Sequence, residues 1–284
     1  MQWYKHFFLL LLFYSCTSSC EKKEPALNNE DVLLSQIPEN LRVVFSTESE
    51  KTCADFDQFN RGEITLENNT WNVQNLDANS FQQCIYQYET ATTQLWGWSW
   101  SYPKSATGIN AYPQIIFGKK PWHPQSTSNN LPRQIDLIDR LSVDYDIAVS
   151  RNEGEFNLAF DLWLTSNPTA QPADIRFELM IWENAHAIEP FGEYVGAVNT
   201  SSGRYALYRG EPDWEPEGTE WTYLAFLRTA GRANGSVAID ELLNYLIEQE
   251  IITEEHYLSS IEFGTEVGNS KGYAVLKQFD IHLN

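Results

Sequence analysis

The chain has 284 residues, room for one large β-domain or two ordinary ones. Hydrophobic residues make up 42% and aromatic residues 14%, which argues against disorder and allows a sizeable core. A formal charge of −20 repels a phosphate backbone and an anionic membrane surface alike, so nucleic acid is excluded as a partner and a neutral ligand is expected.

At the N-terminus, Lys5 and His6 precede the apolar run Phe7 to Tyr14, too short to span a bilayer as a helix but shaped like the apolar region of a signal peptide. The run ends in Ser15-Cys16-Thr17-Ser18-Ser19-Cys20, where small residues before a cysteine resemble a bacterial lipobox. Cysteine parity favours Cys20 as the acylated first residue of the mature chain, because Cys16 is then removed and Cys53 and Cys84 remain as an even pair. Phe13 sits better three residues before Cys16 than Thr17 does before Cys20, so Cys16 stays an alternative. Residues 1–19 are thus expected to be a lipoprotein signal peptide, 20–45 a polar tether and 46–284 one domain. The expected location is the bacterial cell envelope, with membrane attachment through the lipid alone and a monomeric state.

Within the domain, Trp96, Trp98 and Trp100 share one strand face, where core packing and a sugar platform on Trp98 or Trp100 are both open. Strict period-two alternation follows at Leu141 to Ile147 and Phe156 to Leu164, then at Phe177 to Trp182, Trp221 to Leu227, Ser260 to Glu266 and Tyr273 to Leu283. Gly, Pro, Asn and Asp clusters separate these runs, and Trp214 lies in one of them as a candidate aromatic of a cleft rim. A single helix is expected where Ile239, Leu242, Leu243, Leu246 and Ile247 share a face, with Ser236 as N-cap, packed on the back of a sheet. The sum is an all-β, two-sheet antiparallel jelly-roll sandwich with a concave cleft.

Three strands carry mixed outer faces. Glu178, Met180 and Trp182 alternate with apolar Phe177, Leu179 and Ile181; Asn157, Asp161 and Trp163 alternate with Phe156 to Leu164; Glu262 and Glu266 alternate with Ile261 and Phe263. A core does not hold an unpaired Glu, and a plain solvent face does not hold indoles. Acids beside aromatics suit a sugar groove, where apolar ring faces stack on indoles and two carboxyls do the chemistry. Glycosidic hydrolysis needs one carboxyl to protonate the leaving oxygen and a second to attack or to activate water, with a separation of about 5–5.5 Å giving retention. No metal-spaced His pair occurs, His186 reads as a loop residue and His282 as a strand-surface one, and no cofactor is expected.

Phe177-Glu178-Leu179-Met180-Ile181-Trp182 resembles the nucleophile strand of glycoside hydrolase family 12, and Phe263-Gly264-Thr265-Glu266 resembles its acid/base motif, in the same order and roughly ninety residues apart. Asn68-Asn69-Thr70-Trp71, Ala111-Tyr112-Pro113, Lys119-Lys120-Pro121-Trp122 and Ala159-Phe160-Asp161-Leu162 are also similar to family segments, so the resemblance covers about residues 50–284. It implies Glu178 as nucleophile, Glu266 as acid/base and Asp161 as a supporting carboxyl. It further implies Asn69, Trp71, Trp122, Met180, Trp182 and Pro190 as sugar contacts, and a Cys53–Cys84 disulfide. Val267-Gly268 replaces the family's frequent Pro-Phe after the acid/base, and residues 183–190 lack the Gly-rich character of many members, a loop that would reshape the cleft. The implied activity is retaining endo-hydrolysis of β-1,4-glucosidic bonds in cellulose-like, mixed-linkage or xyloglucan chains. The alternative is a non-catalytic glycan-binding lipoprotein on the same fold.

Overall fold

A computed structural model describes residues 29–212 and 220–284; the signal peptide, Cys16, Cys20 and Trp214 lie outside them. Among the described residues the strands form two sheets. The outer sheet runs, in spatial order, β1 (Glu50–Thr52), β4 (Gln82–Glu89), β5 (Gln94–Ser101), β16 (Lys271–Leu283), β8 (Leu141–Arg151) and β14 (Asn234–Ala238). The cleft sheet runs β11 (Glu193–Thr200), β12 (Gly203–Gly210), β13 (Thr222–Arg228), β10 (Ile175–His186), β9 (Phe156–Thr165), β15 (Tyr257–Gly264), β6 (Gln114–Gly118), β3 (Ile64–Glu67) and β2 (Gln58–Arg61), with β7 (Arg133–Gln134) pairing on β15. Pairing is antiparallel throughout except between β10 and β13, which run parallel.

The alternation expected from the sequence is what glues the sheets. Leu141, Val143, Tyr145 and Ile147 of β8 face Phe156, Leu158, Phe160, Leu162 and Leu164 of β9 and Leu179 and Ile181 of β10 in one continuous core. Each such large side chain contributes roughly 1.5–3 kcal/mol on full burial. Trp96, Trp98 and Trp100 belong to this core. The sugar platform considered for Trp98 and Trp100 is therefore corrected: both are at most 2% exposed, and their indole N–H groups are used internally, on Thr265 Oγ1 at 2.9 Å and Ser270 Oγ at 2.9 Å.

The tether reading is corrected for residues 29–45. They form α1 (Asn29–Ser35) and a 3-10 helix (Glu39–Phe45) that lie on the outer face of the outer sheet. Ile37, Leu41 and Val44 bury there against Cys84, Tyr86, Leu95 and Val275. Gly97 permits that approach, since a Cβ at this position would lie 2.7 Å from Val44 Cγ1. Cys53 and Cys84 are disulfide-bonded, tying the segment before β2 to β4.

The helix α2 (Ile239–Glu248) also differs from expectation. Its contacts go to β8 of the outer sheet and β11 of the cleft sheet, and Ile239, Leu242, Leu243 and Leu246 join the core between them. It closes one side of the sandwich. Ser236 is not its N-cap, because β14 continues to Ala238 and holds Ser236 in the ladder opposite Asp144. Asp240 and Glu241 in the first turn place negative charge at the positive end of the helix dipole instead.

Candidate active site

The site is built on the face of the cleft sheet turned away from the core. Once β9 and β10 commit Phe160, Leu162, Leu179 and Ile181 inward, alternation delivers Asn157, Asp161 and Trp163, and Glu178, Met180 and Trp182, to the other face. Met180 and Trp182 form a second apolar cluster there with Ala159, Tyr223 and Ala225. The thioether sulfur of Met180 accepts from Trp182 Nε1 at 3.3 Å and from the Tyr223 hydroxyl at 3.4 Å, which fixes all three side chains as a floor.

Glu178 is half-buried and accepts a hydrogen bond from Trp221 Nε1 at 2.8 Å. Glu266 lies two residues beyond β15 and is clamped by Asn157 three ways. Asn157 N donates to the Glu266 carbonyl at 3.0 Å, Glu266 N donates to Asn157 Oδ1 at 3.0 Å, and Asn157 Nδ2 donates to the Glu266 carboxylate at 2.5 Å. Desolvation by the surrounding protein pushes the Glu266 carboxyl up to about 7, against the opposing pull of the Asn157 hydrogen bond. A carboxyl in that range is half-protonated near neutral pH, as a general acid requires.

Asp161 is buried behind them. Desolvation, followed by the charges of Glu178, Glu262 and Glu266, raises its pKa far above the carboxylate range, with Lys120 acting in the other direction. Its buried Oδ1 has no hydrogen-bond partner among the described residues, an arrangement that costs less on the protonated carboxyl that burial and its acidic neighbours favour than on a charged one. The Tyr223 phenol is likewise raised, first by burial, then by Glu266, Glu178 and Asp161. Glu178 and Glu266 thus converge on the same two neighbours, Asp161 and Tyr223.

A charge network backs this group. Glu262 stands opposite Asp161 in the β15–β9 register, and Lys120 Nζ lies 3.9 Å from Glu262 and 2.7 Å from Glu67. Burial opposes the Lys120 charge, but Glu262 and Glu67 outweigh it and raise its pKa. Burial alone would raise Glu67, yet Lys120 and His123 hold it down at about 2, with His123 Nε2 at 2.6 Å.

Of the other sequence-predicted residues, Trp71 (44%) and Trp122 (49%) are the open indole surfaces. Trp122 meets Trp163 and Trp221 edge-on, with centroids 4.8 and 6.3 Å apart, so three indoles surround the hydrogen bond to Glu178. Asn69 is buried, its Oδ1 unpartnered among the described residues, and its carbonyl accepts from Tyr112 N at 2.9 Å. Pro190 is buried in the segment after β10. The 183–190 loop is corrected at its start: residues 183–186 continue β10, and His186 is a strand residue with Nδ1 3.0 Å from the Gly154 carbonyl. His282 pairs with Asp144 at 3.0 Å on the exposed end of β16.

Sequence reasoning assigned no role to Asn157, Trp163, Trp221, Lys120 or Tyr223. Asn157 and Trp163 were legible as cleft-facing by alternation, but their partners lie on other strands and no local pattern announces them.

The family profile described as "Glycosyl hydrolase family 12" matches residues 62–284. The chain belongs to glycosyl hydrolase family 12. It is 29% identical over 245 residues to endoglucanase S of Pectobacterium parmentieri, covering 84% of this chain and 88% of that protein. A native family 12 xyloglucanase from Bacillus licheniformis superposes with a TM-score of 0.74 at 26% identity, over 83% of this chain and all of the other. A Phytophthora nicotianae protein named an inactive glycoside hydrolase is 27% identical over 75% of this chain and 83% of its own length. Membership in family 12 accounts for the two-sheet jelly roll and makes the chain a glycoside hydrolase.

Proposed function

We propose that this family 12 enzyme is a retaining endo-β-glucanase in which Glu178 is the nucleophile and Glu266 the acid/base. The observation that carries the assignment is the unequal treatment of the two carboxyls. Burial lifts Glu266 to about 7 while Asn157 fixes its direction, and Glu178 receives an indole N–H that stabilises an anion. In the first step Glu178 attacks the anomeric carbon as Glu266 gives its proton to the departing glycosidic oxygen, leaving a glycosyl-enzyme ester and an anionic Glu266. In the second, Glu266 takes a proton from water, whose oxygen attacks the same carbon and releases Glu178. Asp161 is the supporting carboxyl in this reading: burial and the charges of Glu178, Glu262 and Glu266 favour its protonated form, which limits the negative charge gathered beside the two reacting carboxyls.

Internal β-1,4-glucosidic bonds are the proposed target, in keeping with the relatives named endoglucanase and xyloglucanase. Release of reducing ends from xyloglucan, mixed-linkage β-glucan and carboxymethylcellulose ranks the substrates. Glu178→Gln should lower kcat on the preferred one by at least about three orders of magnitude; undiminished activity in that variant would remove Glu178 from the mechanism. A binding protein without catalysis would release no reducing ends in any form.

We further infer that the chain is a monomeric lipoprotein of the bacterial cell envelope, held by an acyl group on Cys20 or Cys16. Support comes from the apolar run and small residues before those cysteines. The mass of the N-terminal peptide from membrane-extracted protein identifies the acylated cysteine, and an unmodified mature N-terminus sinks the anchor.

A further inference from the structure

One line of paired residues crosses the cleft sheet at right angles to its strands. From Glu262 on β15 it runs through Asp161, Met180, Ala225 and Tyr208 to Tyr194 on the edge strand β11. Successive partners are about 4.8 Å apart, so Tyr194 lies roughly 14 Å beyond Met180 along this line. Tyr208 is part of the same apolar floor as Met180, Trp182 and Tyr223, and Tyr194 packs edge-on against it with centroids 6.0 Å apart. Tyr194 nevertheless leaves 61% of its surface in solvent. Phe191, 40% exposed, extends the same surface from the loop before β11 and meets Tyr223 edge-on at 5.9 Å. Trp71, the exposed indole of the opposite flank, follows β3.

We propose that Tyr208, Tyr194 and Phe191 form an additional glucan-binding subsite on β11–β12, remote from the cleavage point and occupied by a neutral pyranose unit of the same polysaccharide chain. The inference rests on the endo-β-glucanase reading above. Three considerations support a sugar over any other occupant. The surface is continuous with the catalytic floor, so a chain lying across the strands through Glu178 and Glu266 continues onto it. It pairs apolar ring faces with phenolic hydroxyls, the combination that fits an equatorially substituted pyranose. A chain of net charge −20 disfavours an acidic partner on an open flank. The subsite would favour long polymers over short oligosaccharides.

The test compares mixed-linkage β-glucan polymer with an aryl β-cellotrioside, whose single aromatic leaving group cannot span the distance to β11. For each of Tyr194→Ala, the double variant Tyr194→Ala/Phe191→Ala and Tyr194→Phe, the ratio of kcat/KM on the polymer to that on the aryl substrate is measured. The ratio is expected to fall about five-fold in Tyr194→Ala and further in the double variant, mostly through KM, and to stay within two-fold in Tyr194→Phe. A ratio unchanged in the double variant, or an equal fall on both substrates, overturns the subsite. A wild-type enzyme that cleaves neither substrate instead overturns the endo-β-glucanase reading, and the subsite with it.

Discussion

Asn157 is where positioning and proton affinity meet. Its amide donates to the Glu266 carboxylate, and its oxygen and backbone N–H hold the adjacent main chain. Because a hydrogen bond to the charged form lowers a carboxyl pKa, removing it leaves desolvation unopposed. Asn157→Leu, of the same branched shape but without the amide, should therefore move the alkaline limb of the kcat/KM pH profile to higher pH, and lower kcat about ten-fold because the carboxyl is no longer aimed. An alkaline limb that stays in place, or moves to lower pH, would contradict the role given to this amide. Neither the clamp nor the Trp221 contact to Glu178 was readable from sequence. Asn157 lies 109 positions from its partner and Trp221 lies 43 from its own. Both pairs meet only because neighbouring strands bring them together.

At the scale of the element, β10 carries two faces and a break. Up to Trp182 it alternates as its sequence dictates, but the register shifts between Trp182 and Asn184 against β9. The extra residue is Glu183, which keeps the inward phase of Leu179 and Ile181 and is fully buried, the bulge changing the phase only beyond it. It is held there by the Tyr145 hydroxyl at 2.7 Å, the Tyr205 hydroxyl at 2.7 Å and the Arg232 guanidinium. Glu183→Ala would strand two phenols and a cation. It is expected to cost about 3 kcal/mol in urea unfolding, since Arg232 can still reach solvent; a loss below about 1 kcal/mol would mean the bulge persists without its anchor. Alternation made β9 and the first half of β10 legible, down to which side chains enter the cleft. It could not show the bulge, which inserts one residue without changing composition. The Trp96–Trp98–Trp100 stripe failed for a different reason. The segment 29–45 covers the outer face of β5, so both faces of that strand are buried and alternation no longer distinguishes inside from outside.

For the molecule as a whole, two buried carboxyls with opposite pKa shifts, Glu266 and Glu67, make stability depend on pH in opposite directions. The folded state raises Glu266 from 4.5 to about 7, so its contribution to stability is complete below pH 4.5 and disappears as pH rises through 7. Glu67, held at about 2, behaves oppositely: its contribution is present above pH 4.5 and is lost as pH falls toward 2. Glu266→Gln should thus raise the melting temperature at pH 8 by a few degrees and leave it nearly unchanged at pH 4. An equal change at both pH values would point to packing and away from proton linkage. The all-β two-sheet plan was visible in the strand spacing, because each inward face must find another. The closing position of α2 was not visible, because its apolar stripe fits a sheet face and a sheet edge equally well.

The two short helices at 29–45 set the side from which the chain enters the domain. They dock on the outer sheet, so the chain enters the domain from the back, away from Glu178 and Glu266. From Cys20 to Asn29 an extended chain reaches about 30 Å at most. A lipid on Cys20 would therefore act as a short leash fastened behind the domain, presenting the cleft outward to polysaccharide arriving from the surroundings and keeping its floor off the bilayer.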